Sequence, residues 1–159
     1  MTAAPLAVER REEIASLGEL LAAAGYTGPA IQERLGTANE LLARPADAPA
    51  HLKRLEGDDG ALATLIRLFV LLASAAEEDV DRVLAPLGTA GLERLGLVSR
   101  RDAGRVVAAI RLIPHDTFVI ASDLSETKAD GEHVPGVQRP SNTLANLTVR
   151  SRSRRSTVP

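Results

Sequence analysis

The chain has 159 residues, a length that suits one domain with a hydrophobic core, or one domain followed by a tail. Its 19 basic and 21 acidic residues leave a net charge of only −2 at pH 7, so the body of the protein is not a polyanion binder by charge alone. The absence of cysteine excludes disulfides and thiolate metal sites. Since no apolar run reaches the ~20 residues of a membrane span, we expect no membrane partner.

The kinds of apolar residue present favour helices. Alanine, leucine and valine supply most of them, and the only aromatic residues are Tyr26, Phe69 and Phe118. Alanine and leucine are strong helix formers. So few aromatic rings also argue against stacking on bases or sugars. The segment Met1–Arg11 lacks the basic and then apolar pattern of a secretion signal, so we expect a cytoplasmic protein.

Glycine and proline mark the first two predicted helices. Apolar residues at helical spacing predict a helix over about 8–24, ended by Gly25, which adopts positive φ at little cost. Pro29 suits the start of a short helix that Gly36 ends. Thr37–Glu40 has the pattern of a capping box for a further turn of helix.

The most apolar segment of the chain predicts a central, buried helix. After a short helix around 51–55, the residues Gly57–Gly60 have turn chemistry, with an aspartate placed to cap the helix that follows. That helix is predicted over Ala61–Ala73, with Arg67 as its only charge and apolar residues on nearly all faces.

After the central helix, the sequence pattern predicts two more helices and then strands. Ser74–Glu77 predicts a capping box that starts a helix, and 89–95 predicts another short helix. Leu97 and Val98 lead into a turn at Arg100–Gly104. Val106–Ile113 and Thr117–Ser122 are then predicted as two strands joined through Pro114, His115 and Asp116.

This order predicts a mainly α fold with a small β-hairpin, in the α+β class, in which a helical bundle leads into a winged helix-like unit. We predict three parts: an N-terminal helical segment over 1–58, the winged helix-like unit over 59–124, and a linker with an Arg/Ser-rich tail over 125–159. Asn142–Val149 is predicted as a short helix or strand.

A winged helix suggests nucleic-acid binding, and charge on its third helix tests that interpretation. Between Thr89 and Leu97 there is one arginine, Arg94, beside Glu93, and no Asn, Gln or Lys to read base edges. Other arginines could contact phosphate groups in the turn and in the tail. These candidates are Arg100, Arg101, Arg105, Arg150, Arg152, Arg154 and Arg155.

No residues form a complete catalytic or metal site. His51, His115 and His133 are far apart and have no partner at metal-ligand spacing. Two acidic groups, Asp58–Asp59 and Glu77–Asp79, lie where helices begin, so helix capping accounts for the acidic residues at these positions. The sequence contains no nucleophile motif, no P-loop and no Gly-x-Gly-x-x-Gly, so we assign no catalytic residue.

The order of several short sequence segments resembles the N-terminal part of actinobacterial S-adenosylmethionine-dependent methyltransferases. The catalytic half of these proteins is similar to the glutamine N5-methyltransferases that modify release factors. The resemblance extends from about Gly18 to Arg150. The segments that carry this resemblance are Leu20–Tyr26, Ile31–Gly36, Leu55–Asp59, Leu65–Phe69, Arg111–His115, Val119–Leu124, His133–Val137, Ser141–Ala145 and Thr148–Arg150.

The resemblance implies an accessory domain rather than an enzyme. The family's cofactor loop, of Asp-Leu-Gly-Thr-Gly type, and its Asn-Pro-Pro-Tyr motif are both missing, so methyl transfer is not assigned to these residues, and no cofactor is expected in this chain. For the full-length family the resemblance implies S-adenosylmethionine, with Ser141 and Thr143 near its pocket. The implied role is to recognise a protein or RNA acceptor for an attached or associated methyltransferase domain.

Two other interpretations remain open. The chain is alternatively a freestanding winged-helix module that binds nucleic acid or docks a protein partner. It is otherwise a structural domain that forms a homodimer, since winged helices in methyltransferases often serve as dimer surfaces.

Overall fold

The structure is a computed structural model that describes residues 10–37 and 47–124. Helix α1 covers Arg11–Ala23 and helix α2 covers Gly28–Leu35. Gly25 and Gly36 follow these helices with φ of 67° and 61°, as predicted. Thr27, before α2, accepts a hydrogen bond from a backbone N–H of the first turn. Local residue preferences therefore determine where both helices end and where α2 begins.

The apolar segment forms a central helix, but one that is shorter than predicted. After α3 (Ala48–Arg54), helix α4 covers Ala61–Leu65 and continues as one π-helical stretch over Ile66–Val70. The prediction of one regular helix to Ala73 was therefore wrong. Leu72 leaves the helix with φ of 56°. The chain has to leave the helix here because the residues just beyond it pair as a strand.

That strand, β1 (Ala75–Ala76), also overturns the predicted capping box at Ser74–Glu77. Helix α5 covers Glu77–Val83, and its N-cap position is Ala76, which has no capping side chain. Ser74 instead accepts hydrogen bonds from Arg105. Pairing with a distant strand outweighed the local capping pattern.

The aspartate cap predicted before α4 is absent too. Gly60 occupies the N-cap position without a side-chain bond. The Asp58 Oδ1 atom accepts a hydrogen bond from the Gly60 N–H at 3.0 Å, which closes the turn rather than the helix.

The two strands that follow α6 (Gly88–Arg94) complete a three-stranded antiparallel sheet with β1. Strand β2 covers Val98–Arg101, β3 covers Arg105–Ala108, and the strand order is β1-β3-β2. Arg100 and Arg101 therefore lie in β2, paired with β3, and the turn contains only Asp102–Gly104. The predicted turn over 100–104 was too long at its start.

The single strand predicted over Val106–Ile113 is two strands in different sheets. Strand β4 covers Ile110–His115 and pairs only with β5 (Phe118–Asp123) within the described residues. Between β3 and β4, the Ala109 N–H donates to the Leu97 carbonyl at 2.8 Å. The chain passes from one sheet to the next there, because β4 packs against the central helix.

One hydrophobic core joins residues on both sides of the predicted boundary at 58 and 59. Leu17, Tyr26 and Leu55 are buried in the same cluster as Phe69 and Val106. The predicted class, a mainly helical α+β fold with a small hairpin, is confirmed. No helix in residues 10–37 or 47–124 has the length and apolar character needed to cross a membrane.

Several predictions lie outside the described residues, and they stay predictions. They are the Thr37–Glu40 capping box beyond its first residue, His133, Ser141, Thr143, the 142–149 element, and the tail arginines Arg150, Arg152, Arg154 and Arg155.

Candidate interaction surfaces

The hairpin formed by β2 and β3, which we term the wing, is held to the helices by an arginine. The Arg100 Nε atom donates to Glu77 Oε1 at 2.8 Å, and its Nη1 atom forms a second ion pair with Glu93. The hydrogen bond to Glu77 raises the pKa of Arg100 further, and the nearby carboxylates add to this. Two carboxylates thus offset the charge that a phosphate group would need.

The other two arginines of the wing differ in their contacts. Arg105 Nη2 donates to the Ser74 carbonyl and to Ser74 Oγ, both at 2.7 Å, so it fastens β3 to the segment before β1. Arg101 is exposed, and in the part of the chain that the structure describes its side chain has no hydrogen-bond or ion-pair partner. Arg101 is therefore the arginine of the wing most open to a ligand.

Helix α6, the third helix of the predicted winged unit, offers little to a base edge. Thr89, Gly91 and Leu92 are buried against the core. Its exposed side carries Glu93 and Arg94. Glu93 pairs with the wing, and the Arg94 Nε atom donates to a carboxylate of α1 at 3.1 Å. Both charged groups on this side are therefore occupied within the domain.

An open cleft of about 240 Å³ separates the end of the central helix from β1 and β3. Its charged lining comprises Arg67, Arg105, Asp59 and Asp79. Arg67 donates to the Leu55 carbonyl, and Asp79 pairs with an arginine of its own helix. Because two positive and two negative groups line the same cleft, it selects neither anions nor cations.

The acidic pairs found in the sequence serve structural contacts. Asp58 pairs with Arg34 and binds the Gly60 N–H, while Glu77 and Asp79 pair with arginines. Within residues 10–37 and 47–124, no three His, Asp or Glu side chains lie close enough together to hold a metal ion.

The two described histidines stand apart from each other. The ring of His115 contacts the ring of Phe118 edge-on, with centroids 5.3 Å apart. The Nδ1 atom of His51 is buried without a hydrogen-bond partner in the described part of the chain. Within residues 10–37 and 47–124, neither histidine belongs to a cluster of acidic or histidine side chains that could hold a metal ion.

The β4–β5 hairpin ends in an exposed apolar tip. Phe118 is 49% exposed and Val119 is 37% exposed, and strand alternation places them on opposite faces. Within the described residues only one other large apolar side chain, Ile14, is exposed to this degree. The hairpin therefore presents an exposed apolar side chain on each of its two faces beside the turn.

Tyr26 and Arg111 meet at the base of this hairpin. The Tyr26 hydroxyl donates to the Leu112 carbonyl at 2.8 Å, and burial raises the pKa of Tyr26 far above its usual range. Burial also lowers the pKa of Arg111, an effect that Tyr26 partly offsets. Sequence reasoning assigned neither residue a role, although one charge inside an apolar strand was a usable signal.

Comparison with known proteins shows the family of the chain. The family described as "Domain of unknown function (DUF7059)" matches residues 23–109. The chain belongs to this family. No curated protein and no solved structure matches the chain.

The DUF7059 match separates the two surfaces described above. It runs from the end of α1 through β3, so it includes the wing with Arg100, Arg101 and Arg105. The β4–β5 hairpin, with Arg111 and the apolar tip, lies just beyond it. The wing is thus inside the matched region, whereas the hairpin lies outside it and contributes Ile110 and Leu112 to the same core.

Proposed function

We propose that this domain is a non-catalytic accessory domain of a class I S-adenosylmethionine-dependent methyltransferase. It docks onto an attached or associated methyltransferase domain and helps to position a protein or RNA acceptor. The methyltransferase part of the proposal is based on the resemblance of short sequence segments, in the same order, from about Gly18 to Arg150. The cofactor and the methyl-transfer residues then belong to the methyltransferase domain.

The exposed apolar tip of the β4–β5 hairpin is the observation that carries the docking role. Phe118 and Val119 are exposed, although Ile110, Leu112 and Ala121 of the same hairpin pack in the core. Burying apolar area gains about 25 cal/mol per Å², so a protein partner would gain free energy by covering the tip. Of the acidic residues singled out in the sequence, Asp58, Asp79 and Glu77 are in ion pairs within the domain.

Crosslinking in native extracts tests this function. We expect that immunoprecipitation of this chain, followed by ultraviolet crosslinking with radiolabelled S-adenosylmethionine, labels a polypeptide that contains or accompanies it. The isolated 159-residue chain should stay unlabelled, because the cofactor loop lies elsewhere. Excess unlabelled S-adenosylmethionine is the control and should abolish the label. A precipitate without any labelled polypeptide would contradict the proposal.

A freestanding winged-helix module is the second candidate. Two observations favour it: the sequence of helix, β1, α5, α6, β2 and β3 with strand order β1-β3-β2, and the exposed, unpaired Arg101 in the wing. Its nucleic-acid version predicts duplex binding that falls steeply as salt rises.

Arginine variants of the wing test that version. Replacing Arg100, Arg101 and Arg105 together by alanine should weaken duplex binding, chiefly because the exposed Arg101 loses its phosphate contact. Arg11→Ala, at an exposed arginine of α1, is the matched control and should leave binding unchanged. No mobility shift with duplex at about 1 µM and low salt would reject nucleic-acid binding.

A further inference from the structure

Arg100 joins the wing to two helices through two nitrogen atoms of one guanidinium. Its Nε atom donates to Glu77 Oε1 of α5 at 2.8 Å, and its Nη1 atom pairs with Glu93 of α6. The two glutamates lie 23 and 7 positions before Arg100, so only the folded domain brings the three side chains together. One positive charge therefore meets two negative charges, and the cluster is negative overall.

This cluster is open to solvent. The side chains of Arg100, Glu77 and Glu93 are 41%, 31% and 42% exposed. Water screens exposed ion pairs, so these pairs contribute little to stability. The strands of the wing are also held by the buried side chains of Val98 and Val106. A ligand can therefore reach the guanidinium without unfolding the wing, provided that it displaces the two carboxylates.

Phosphate groups are the ligands that compete with these carboxylates. A guanidinium binds the oxygens of a carboxylate and of a phosphate through the same planar set of N–H donors. Arg100 lies in β2, the outer strand of the described β1-β3-β2 sheet, next to the exposed Arg101. A nucleic-acid backbone that follows this strand brings phosphate groups to both arginines. Arg101 can bind one directly, whereas Arg100 has to give up its carboxylates first.

We propose that Glu77 and Glu93 form an autoinhibitory contact: they occupy Arg100 in place of nucleic-acid phosphate and so weaken binding by the wing. This inference rests on the second candidate function, nucleic-acid binding, and adds a regulation to it. Attraction to phosphate alone gives weak contact with any sequence. The two carboxylates suppress such contact, because the wing gains the Arg100 contact only where the nucleic acid replaces both ion pairs.

Neutral variants of the two glutamates test the autoinhibitory contact. In Glu77→Gln/Glu93→Gln, each amide oxygen can still accept a hydrogen bond from Arg100, so the wing stays in place while the competing charges are removed. Fluorescence anisotropy with a labelled DNA duplex at low salt should show binding at least about fivefold tighter than that of the unaltered chain. The slope of log affinity against log salt should steepen by about 0.9, which corresponds to one additional phosphate contact.

Two further variants separate this contact from a general effect of charge. Glu19→Gln/Glu33→Gln removes the same charge at exposed positions of α1 and α2 that form none of the ion pairs among residues 10–37 and 47–124. It should leave the salt slope unchanged. Adding Arg100→Ala to Glu77→Gln/Glu93→Gln should remove the gain in affinity, because the freed guanidinium makes the new contact. Circular dichroism should show the same folded spectrum for all variants, since exposed ion pairs are replaced.

The outcomes separate this inference from the function on which it rests. If the unaltered chain binds duplex and Glu77→Gln/Glu93→Gln binds it no more tightly, the autoinhibitory contact is wrong and nucleic-acid binding stands. The same conclusion follows if Glu19→Gln/Glu33→Gln gives an equal gain, or if the gain persists without Arg100. If neither the unaltered chain nor Glu77→Gln/Glu93→Gln binds duplex, the second candidate function and this inference are both wrong.

Discussion

Replacing Phe69 by alanine should lower the free energy of unfolding by about 3–5 kcal/mol, because it deletes a fully buried ring and leaves a cavity. Phe69 lies in the π-helical stretch and is 0% exposed. Its neighbours in the same helix, Leu65, Leu68 and Val70, are also buried. These packed side chains can shift only a little to fill the cavity that the missing ring leaves. Urea unfolding followed by far-ultraviolet circular dichroism measures the loss.

The chain contains its own control for this substitution. Phe118, at the hairpin tip, is 49% exposed, and the same change to alanine there should cost well under half as much. Since domains of this kind are stable by about 5–15 kcal/mol, the Phe69 variant is expected to be marginally folded. Equal losses at the two positions would contradict the central position of the 61–70 helix.

Alkaline pH should destabilise the protein through its only tyrosine. The Tyr26 hydroxyl is buried and bonded to the Leu112 carbonyl, and its pKa is raised in the folded state by burial. Below pH of about 10 the tyrosine is protonated in both states and does not affect stability. Above it, the unfolded chain loses a proton that the native state retains, so stability falls by about 1.4 kcal/mol per pH unit.

The absence of tryptophan makes this prediction easy to measure. Phenolate absorbance should rise only together with the loss of circular dichroism, because Tyr26 ionises when the chain unfolds. A phenolate signal that appears near the usual pKa of tyrosine while the fold stays intact would refute the buried hydroxyl.

Tyr26→Phe is the matched variant for the alkaline experiment. Its stability should depend less on pH above about 10, which separates the tyrosine from the lysines that titrate in the same range. At neutral pH it should be less stable by about 1–2 kcal/mol, since the Leu112 carbonyl loses its donor in a buried site.

Part of the fold follows from short-range chemistry that is visible in the sequence. Gly25 and Gly36 end α1 and α2, and a proline opens α2, because these residue types have backbone preferences that need no tertiary partner. The run of large apolar residues after Gly60 likewise predicted the buried centre, since such a helix is stable only when it is covered on all sides.

The ion pairs and hydrogen bonds that the candidate residues form could not be predicted in this way. Arg100 meets Glu77 and Glu93, which lie 23 and 7 positions away, only after α5, α6 and β2 have packed. The bond from Tyr26 to the Leu112 carbonyl spans 86 positions. Neither contact leaves a periodic signal, because each depends on how separate elements meet.

By itself the sequence determined where the first two helices end, which segment is most buried, and that no thiol chemistry occurs. Tertiary structure alone decided that Ala75–Ala76 pairs as a strand, which ends the central helix early. It also decided that the apolar run over 106–113 divides between two sheets. Both results have the same physical reason: the hydrogen bonds and buried area gained with distant partners outweigh local preferences of a few tenths to about 1 kcal/mol per residue.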